Sequence, residues 1–69
     1  MEITKEAMEQ YEKVRASGIC NMFDMNCVAT VSKKLKFKEL YKIVQSRKEY
    51  GNLLENFSVL MKKYGIKQR

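Results

Sequence analysis

The stretch Arg15-Ala16-Ser17-Gly18-Ile19-Cys20-Asn21-Met22-Phe23-Asp24 holds a helix stop, a polar loop and a new helix start. A glycine after a helical run supplies the left-handed backbone that ends it, and Asn21 and Asp24 are both capping types for the free amides of a following helix. Met22 and Phe23 lie between those caps. That arrangement is expected to pin the loop into a core, with Gly18, Phe23 and Asp24 as its structural residues.

Working outward, the chain on both sides reads as helix. Thr4 is the N-cap type, and Ile3 before it with Met8 inside gives the spacing of a hydrophobic staple. Ala7, Tyr11 and Val14 recur at four and three residues, so a first helix is expected over about 5–17. Asp24 caps a second over about 25–35, which places Val28, Val31 and Leu35 on one face. Phe37, Leu40, Tyr41 and Val44 continue as a third over about 37–50. Leu53, Leu54, Phe57, Leu60, Met61 and Tyr64 form a fourth over about 52–64, closed by Gly65. The Gly51-Asn52 pair either separates the last two or sits inside one long helix. In the continuous case residues 52–64 would project from the body and need a partner chain to cover their apolar face. The expected fold is all-α, a single domain of three or four short helices.

Composition narrows the class. Sixty-nine residues lie near the lower limit for a self-sufficient core, so a homo-oligomer is expected. There is no proline, tryptophan or histidine, which removes the usual neutral-pH general base and the commonest metal ligand and argues against an enzyme. Neither a metal nor a cofactor is expected. Cys20 and Cys27 read as reduced, mostly buried thiols of an intracellular protein, with a disulfide the less favoured state. No apolar run reaches membrane-spanning length, so a cytoplasmic protein without a membrane partner is expected. Charge is uneven: residues 1–29 carry three Lys and Arg against five acidic residues, net −2, and residues 30–69 carry eleven against three, net +8. The basic half suits a phosphate-bearing partner, although scattered lysines also serve solubility.

Arg15, Ser17-Gly18, Asn21-Met22-Phe23-Asp24, Val28, Phe37, Glu39-Leu40 and Tyr50 together resemble the pattern of a group of short proteins from bacteriophages and prophages with no assigned function. The likeness covers roughly residues 14–50, with an SG-x-x-NMFD motif at its centre. Lys36 stands where that pattern has a glycine before the aromatic, which is expected to weaken the turn between the second and third helices. The resemblance implies a small accessory protein that binds and blocks host machinery, including defence systems, inside the host cell.

Two readings of the loop compete. In one, Arg15 offers a planar fork to a phosphate or carboxylate and the Asn21 amide reads a base or ribose edge. In the other, Arg15 pairs with Asp24 and caps carbonyls while Asn21 satisfies the loop backbone. A DNA-reading helix-turn-helix over Val28–Gln45 fails in register, because the position it should bury is Lys42 and its turn glycine is Lys36. Weak non-specific nucleic-acid contact through Lys33, Lys34, Lys36, Lys38 and Lys42 remains open, with Tyr41 and Phe37 as stacking groups or as core. The tyrosines and methionines offer a further surface for a protein partner. The expected function is therefore non-enzymatic: anti-defence inhibition of a host component. It would act by sequestering an anionic nucleotide through Arg15, Asn21, Lys33, Lys34, Lys36 and Tyr41, or by occluding a host protein. The alternative is a small basic nucleic-acid-binding regulator.

Overall fold

A computed structural model describes residues 3–67. Its four helices are α1 (Lys5–Ser17), α2 (Met25–Lys34), α3 (Lys38–Val44) and α4 (Arg47–Tyr64), with no strand among the described residues. The body measures 27 × 25 × 19 Å. The short α3 lies at its centre, packed against α1, α2 and α4.

α1 begins and ends where its local chemistry dictates. The Thr4 hydroxyl accepts the Ala7 N–H at 3.1 Å, and Gly18 takes a left-handed φ of 70°. Between them Ala7, Met8, Tyr11 and Val14 form one buried stripe. α2 starts on the Asp24 carboxylate, which accepts the Cys27 N–H at 3.2 Å.

The end of α2 departs from expectation. Lys36 adopts φ 60°, the only non-glycine among the described residues with a positive φ. Its N–H donates to the Lys33 carbonyl at 3.2 Å, and the Phe37 N–H donates to that of Ser32 at 2.8 Å. This bond pair defines a Schellman cap. The same pair closes α4, where Gly65 at φ 67° donates to Lys62 at 3.2 Å and Ile66 donates to Met61 at 2.9 Å. The tight turn therefore forms without the glycine, and a lysine is held in the conformation for which glycine is the usual residue.

The expected helix over 37–50 is interrupted earlier than Gly51. The break falls at Gln45 and Ser46, and the Ser46 hydroxyl accepts the Glu49 N–H at 3.3 Å to start α4. Ser46-Arg47-Lys48-Glu49 spells a capping box, which outweighs a glycine that a helix interior tolerates for about 1 kcal/mol. Gly51 sits within α4, and nothing beyond its chain neighbours and its own turn of helix backbone lies within 4 Å of the Cβ position it lacks. α3 has no side-chain cap of its own, and Gln10 of α1 reaches across to accept the Leu40 N–H at 2.9 Å.

Starting at Arg47 also turns α4 back onto the body. Tyr50, Leu53 and Met61 are buried, while Leu54, Phe57, Leu60 and Tyr64 pack against the core. The Phe57 ring lies 6.0 Å from that of Tyr11, and the Tyr64 hydroxyl donates to the Ile3 carbonyl at 2.7 Å. With the break in place, the apolar face that a continuous helix would have projected packs in large part onto the body, with Val59 left exposed. Among the described tyrosines and methionines, Tyr11, Tyr50, Met8, Met22 and Met61 are buried in the core, while Tyr41, Tyr64 and Met25 are half-buried against it and keep part of their surface exposed.

Candidate functional site

The α1–α2 loop is a brace. The Asn21 side-chain oxygen accepts the Phe23 N–H at 2.9 Å, and its carbonyl accepts the Asp24 N–H at 2.8 Å, an Asx turn closed by a β-turn. Met22 and Phe23 occupy its corners and part company. Met22 turns inward and is buried, whereas Phe23 is 80 % exposed, which corrects its expected place in the core. The tether that fixes the turn comes from afar: the Tyr50 hydroxyl donates to the Met22 carbonyl at 2.6 Å inside the core. Burial raises the Tyr50 pKa, with Tyr11 adding to the shift, so the phenol stays a neutral donor.

Cys20 and Cys27 form a disulfide, with Cα atoms 5.8 Å apart and both side chains half-buried. This overturns the expectation of two buried thiols, because the loop folds Cys20 back over the first turn of α2 and brings the pair within bonding reach.

Arg15 likewise turns to its own fold. Its guanidinium grips the buried Glu12 carboxylate in a bidentate pair, Nε to Oε1 at 2.5 Å and Nη2 to Oε2 at 2.8 Å. The hydrogen bond to Glu12 raises the Arg15 pKa. The partner is one helical turn back in α1 rather than Asp24, whose carboxylate is at the N-cap of α2. Arg15 is thus engaged within α1 and Asn21 within its own turn, and neither lines the hollows described below.

Three of the other candidates do come together. Lys33 at the end of α2, Lys36 in the turn and Tyr41 on α3 line one open hollow of about 170 Å³, joined by Ser32 and Lys38. The Schellman turn makes this possible by folding α3 back against α2. Lys34 lies outside the lining, and Lys42 is paired with Glu39 at 3.3 Å. No ion pair joins Lys33, Lys36 or Lys38 to another described residue.

Ser32 is the residue that sequence reading passed over. It is fully buried, and its hydroxyl has no hydrogen-bond partner. A buried hydroxyl left so costs about 1–3 kcal/mol and asks for an explanation. Its position one turn after Val28 on the inner face of α2 marked it as buried, but its polarity hid it among the solvent-facing residues. The wall of the hollow is mostly apolar, with half-buried Tyr41 on one side, and the exposed Lys33, Lys36 and Lys38 bring positive charge to its surroundings.

Two larger hollows are less suited. One of about 510 Å³ between α1 and the residues after α4 mixes Lys5, Lys13 and Lys67 with Glu9 and Glu12. The other, of about 430 Å³, lies beside Phe23, Asp24 and Arg47. Among the described residues no group of three His, Cys, Asp or Glu side chains is placed to hold a metal ion, and no helix is long and apolar enough to cross a membrane.

The architecture is thus that of a small all-helical protein with a lysine-lined elbow. A model of the family described as a domain of unknown function, DUF5049, matches residues 3–54, and the chain belongs to that family. The match takes in both the braced loop and the elbow. No curated protein and no solved structure matches the chain.

Proposed function

We propose that this protein is a non-enzymatic accessory binding protein of phage type that captures an anionic, phosphate-bearing ligand at the α2–α3 elbow. The observation that carries the reading is the convergence of Lys33, Lys36, Lys38 and Tyr41 on a hollow beside an unpartnered, buried Ser32 hydroxyl. Sequestration of a nucleotide is the form that fits best, as an anti-defence inhibitor in the host cytoplasm, a compartment that would hold the Cys20–Cys27 pair reduced and so requires the elbow to work without the disulfide. The resemblance to short phage and prophage proteins supports that biological setting. A hollow of about 170 Å³ encloses only part of a nucleotide. Complete capture then calls for a second copy closing over the ligand, so the active form is a homo-oligomer.

Titrating the full chain with ATP tests the reading calorimetrically. Saturable binding that weakens with salt is expected, and Lys33→Gln with Lys38→Gln abolishes it while Arg15→Ala does not. Loss of binding in a folded Arg15→Ala variant, or no binding by the parent, contradicts it. Sedimentation with and without ATP tests the closing of one copy on another. Expression in a host with nucleotide-signalled defence is expected to protect infecting phage, and the lysine variant is expected not to.

Occlusion of a host protein is a second reading, favoured by Ile19 and Phe23, which stand 63 % and 80 % exposed on a braced loop. The nucleic-acid regulator is the third, with weak and steeply salt-dependent binding as its signature.

A further inference from the structure

We infer that Cys20 and Cys27 form a reversible redox modification site, which exchanges with low-molecular-weight thiols and disulfides of the glutathione class while the protein stays folded. The inference stands apart from phosphate capture, since the α1–α2 loop and the elbow share no residue.

Access is the first argument. Both cysteines are half-buried, and their chain neighbours Ile19, Asn21 and Asn26 are exposed. The two sulfurs are not equivalent. Cys20 packs against the core, whereas Cys27 lies outside it in the first turn of α2. Cys27 is therefore the sulfur open to an incoming thiolate. Bracing is the second. With the bond open, the Gly18 cap, the Asn21 turn, the Asp24 cap and the Tyr50 bond to Met22 all remain. The Cys27 sulfur also lies 4.0 Å from the Ile19 carbonyl oxygen, where the freed thiol finds a weak acceptor beside Cys20. The pair can thus close again without a search. Ring size is the third. By linkage, the fold favours the closed pair by the same factor by which closure favours the fold. For cysteines seven residues apart that factor is about 70-fold, against about 3,000-fold for a loop of 100 residues. So light a hold leaves the bond within reach of cellular thiols.

Reduction runs in two exchanges. A glutathione thiolate attacks the Cys27 sulfur, the Cys20–Cys27 bond breaks, and Cys20 leaves as a thiolate that takes up a proton. A second glutathione thiolate attacks the glutathione sulfur of the mixed disulfide on Cys27. Oxidised glutathione departs, and the Cys27 thiolate takes up the second proton. Two glutathione molecules have given two electrons to the pair, and oxidised glutathione drives both steps backwards. Opening the bond frees Cys20 from α2, so residues 18–21 loosen, while residues 22–24 stay pinned by Tyr50 and the Asp24 cap. Ile19, 63 % exposed, then loses its fixed place relative to Phe23.

The test equilibrates the full chain in buffers of reduced and oxidised glutathione, with and without urea. The fraction closed is read by mass after the free thiols are alkylated, and helix content by circular dichroism. The pair is expected to open in millimolar reduced glutathione and to close again with oxidised glutathione, with helix content unchanged throughout in the absence of urea. The buffer ratio at half-closure should differ between folded and urea-unfolded chain by about 70-fold. A difference of a thousandfold or more, or a bond that millimolar reduced glutathione leaves closed, makes the disulfide purely structural and overturns the inference. So does a reduced chain that has lost its helices. Single variants then assign the sulfurs. With oxidised glutathione, Cys20→Ser should form the mixed disulfide about tenfold faster than Cys27→Ser, because its remaining thiol is the one outside the core. Equal rates, or the reverse order, overturn the role given to Cys27. None of these readouts depends on a ligand at the elbow, so a failure here and a failure of phosphate capture are told apart.

Discussion

The α1–α2 loop and the α2–α3 elbow each turn the chain around one left-handed residue, Gly18 in the first and Lys36 in the second, yet they use their polar side chains in opposite ways. In the loop, Arg15 holds Glu12, Asn21 closes its own turn, Asp24 caps α2, and Tyr50 and the disulfide tie the whole to the body. In the elbow, the Ser32 hydroxyl has no partner, and Lys33, Lys36 and Lys38 form no ion pair with another described residue. A turn whose donors are used internally is scaffold. The exposed lysines of the elbow are not tied down in this way.

The sharpest way to break this contrast is to dismantle the brace. Replacing Cys20 and Cys27 with alanine, or reducing them, is expected to destabilise the protein by about 2.5 kcal/mol, the loop-closure value for so short a ring. ATP binding at the elbow should survive at temperatures where the variant is folded. Thermal unfolding with and without reductant measures the first, and calorimetry the second.

Next is Tyr50→Phe, which leaves the buried Met22 carbonyl without its donor and should cost about 2 kcal/mol. It also carries a pH signature. Burial raises the folded-state pKa of Tyr50 above the value of about 10 in an unfolded chain. Its contribution is complete below pH about 10 and is lost as pH climbs toward the raised folded value, because the unfolded phenol ionises first. Urea unfolding across that alkaline range should show a shallower decline for Tyr50→Phe than for the parent.

Arg15→Ala and Asn21→Ala come third. The first removes the fork from a buried carboxylate and the second opens the Asx turn, and each should lower stability by about 1 kcal/mol. Neither should change ATP affinity. A folded Arg15→Ala variant that no longer binds would move the site to the loop.

The smallest effect has the opposite sign. Lys36→Gly relieves the left-handed lysine but gives the unfolded chain more freedom, for a net gain of about 0.5–1 kcal/mol. Equilibrium unfolding alongside Gly65→Ala, which should be destabilising at the matching cap, shows whether the two turns share one rule.

How legible this was in the sequence depended on how far each feature reaches. α1 could be read in full, because the Thr4 cap, the Ala7–Val14 stripe and the Gly18 stop act within one or two turns. Ser46 was equally local, and its capping box with Glu49 was available. The unbroken three- and four-residue spacing from Phe37 onward concealed it, since the apolar phase carries through a short turn. Phe23 and Met22 could not be told apart locally. Which one turns inward is set by Tyr50, distant in sequence, at the Met22 carbonyl. The disulfide depends in the same way on a loop fold that a spacing of seven does not dictate. At the candidate site, Lys33, Lys36 and Tyr41 were legible as charge and aromatic character. Lys38 was legible only as one of several scattered charges and Ser32 was not singled out, because only the folded elbow shows that they share a hollow.

The central claim is that ligand capture belongs to the elbow and not to the loop, and amide chemical shifts of an isotope-labelled chain titrated with ATP test it most directly. The account predicts saturable shifts confined to residues 32–41, with the amides of residues 15–24 unmoved. Shifts centred on Arg15, Asn21 and Asp24, with the elbow unchanged, would contradict it.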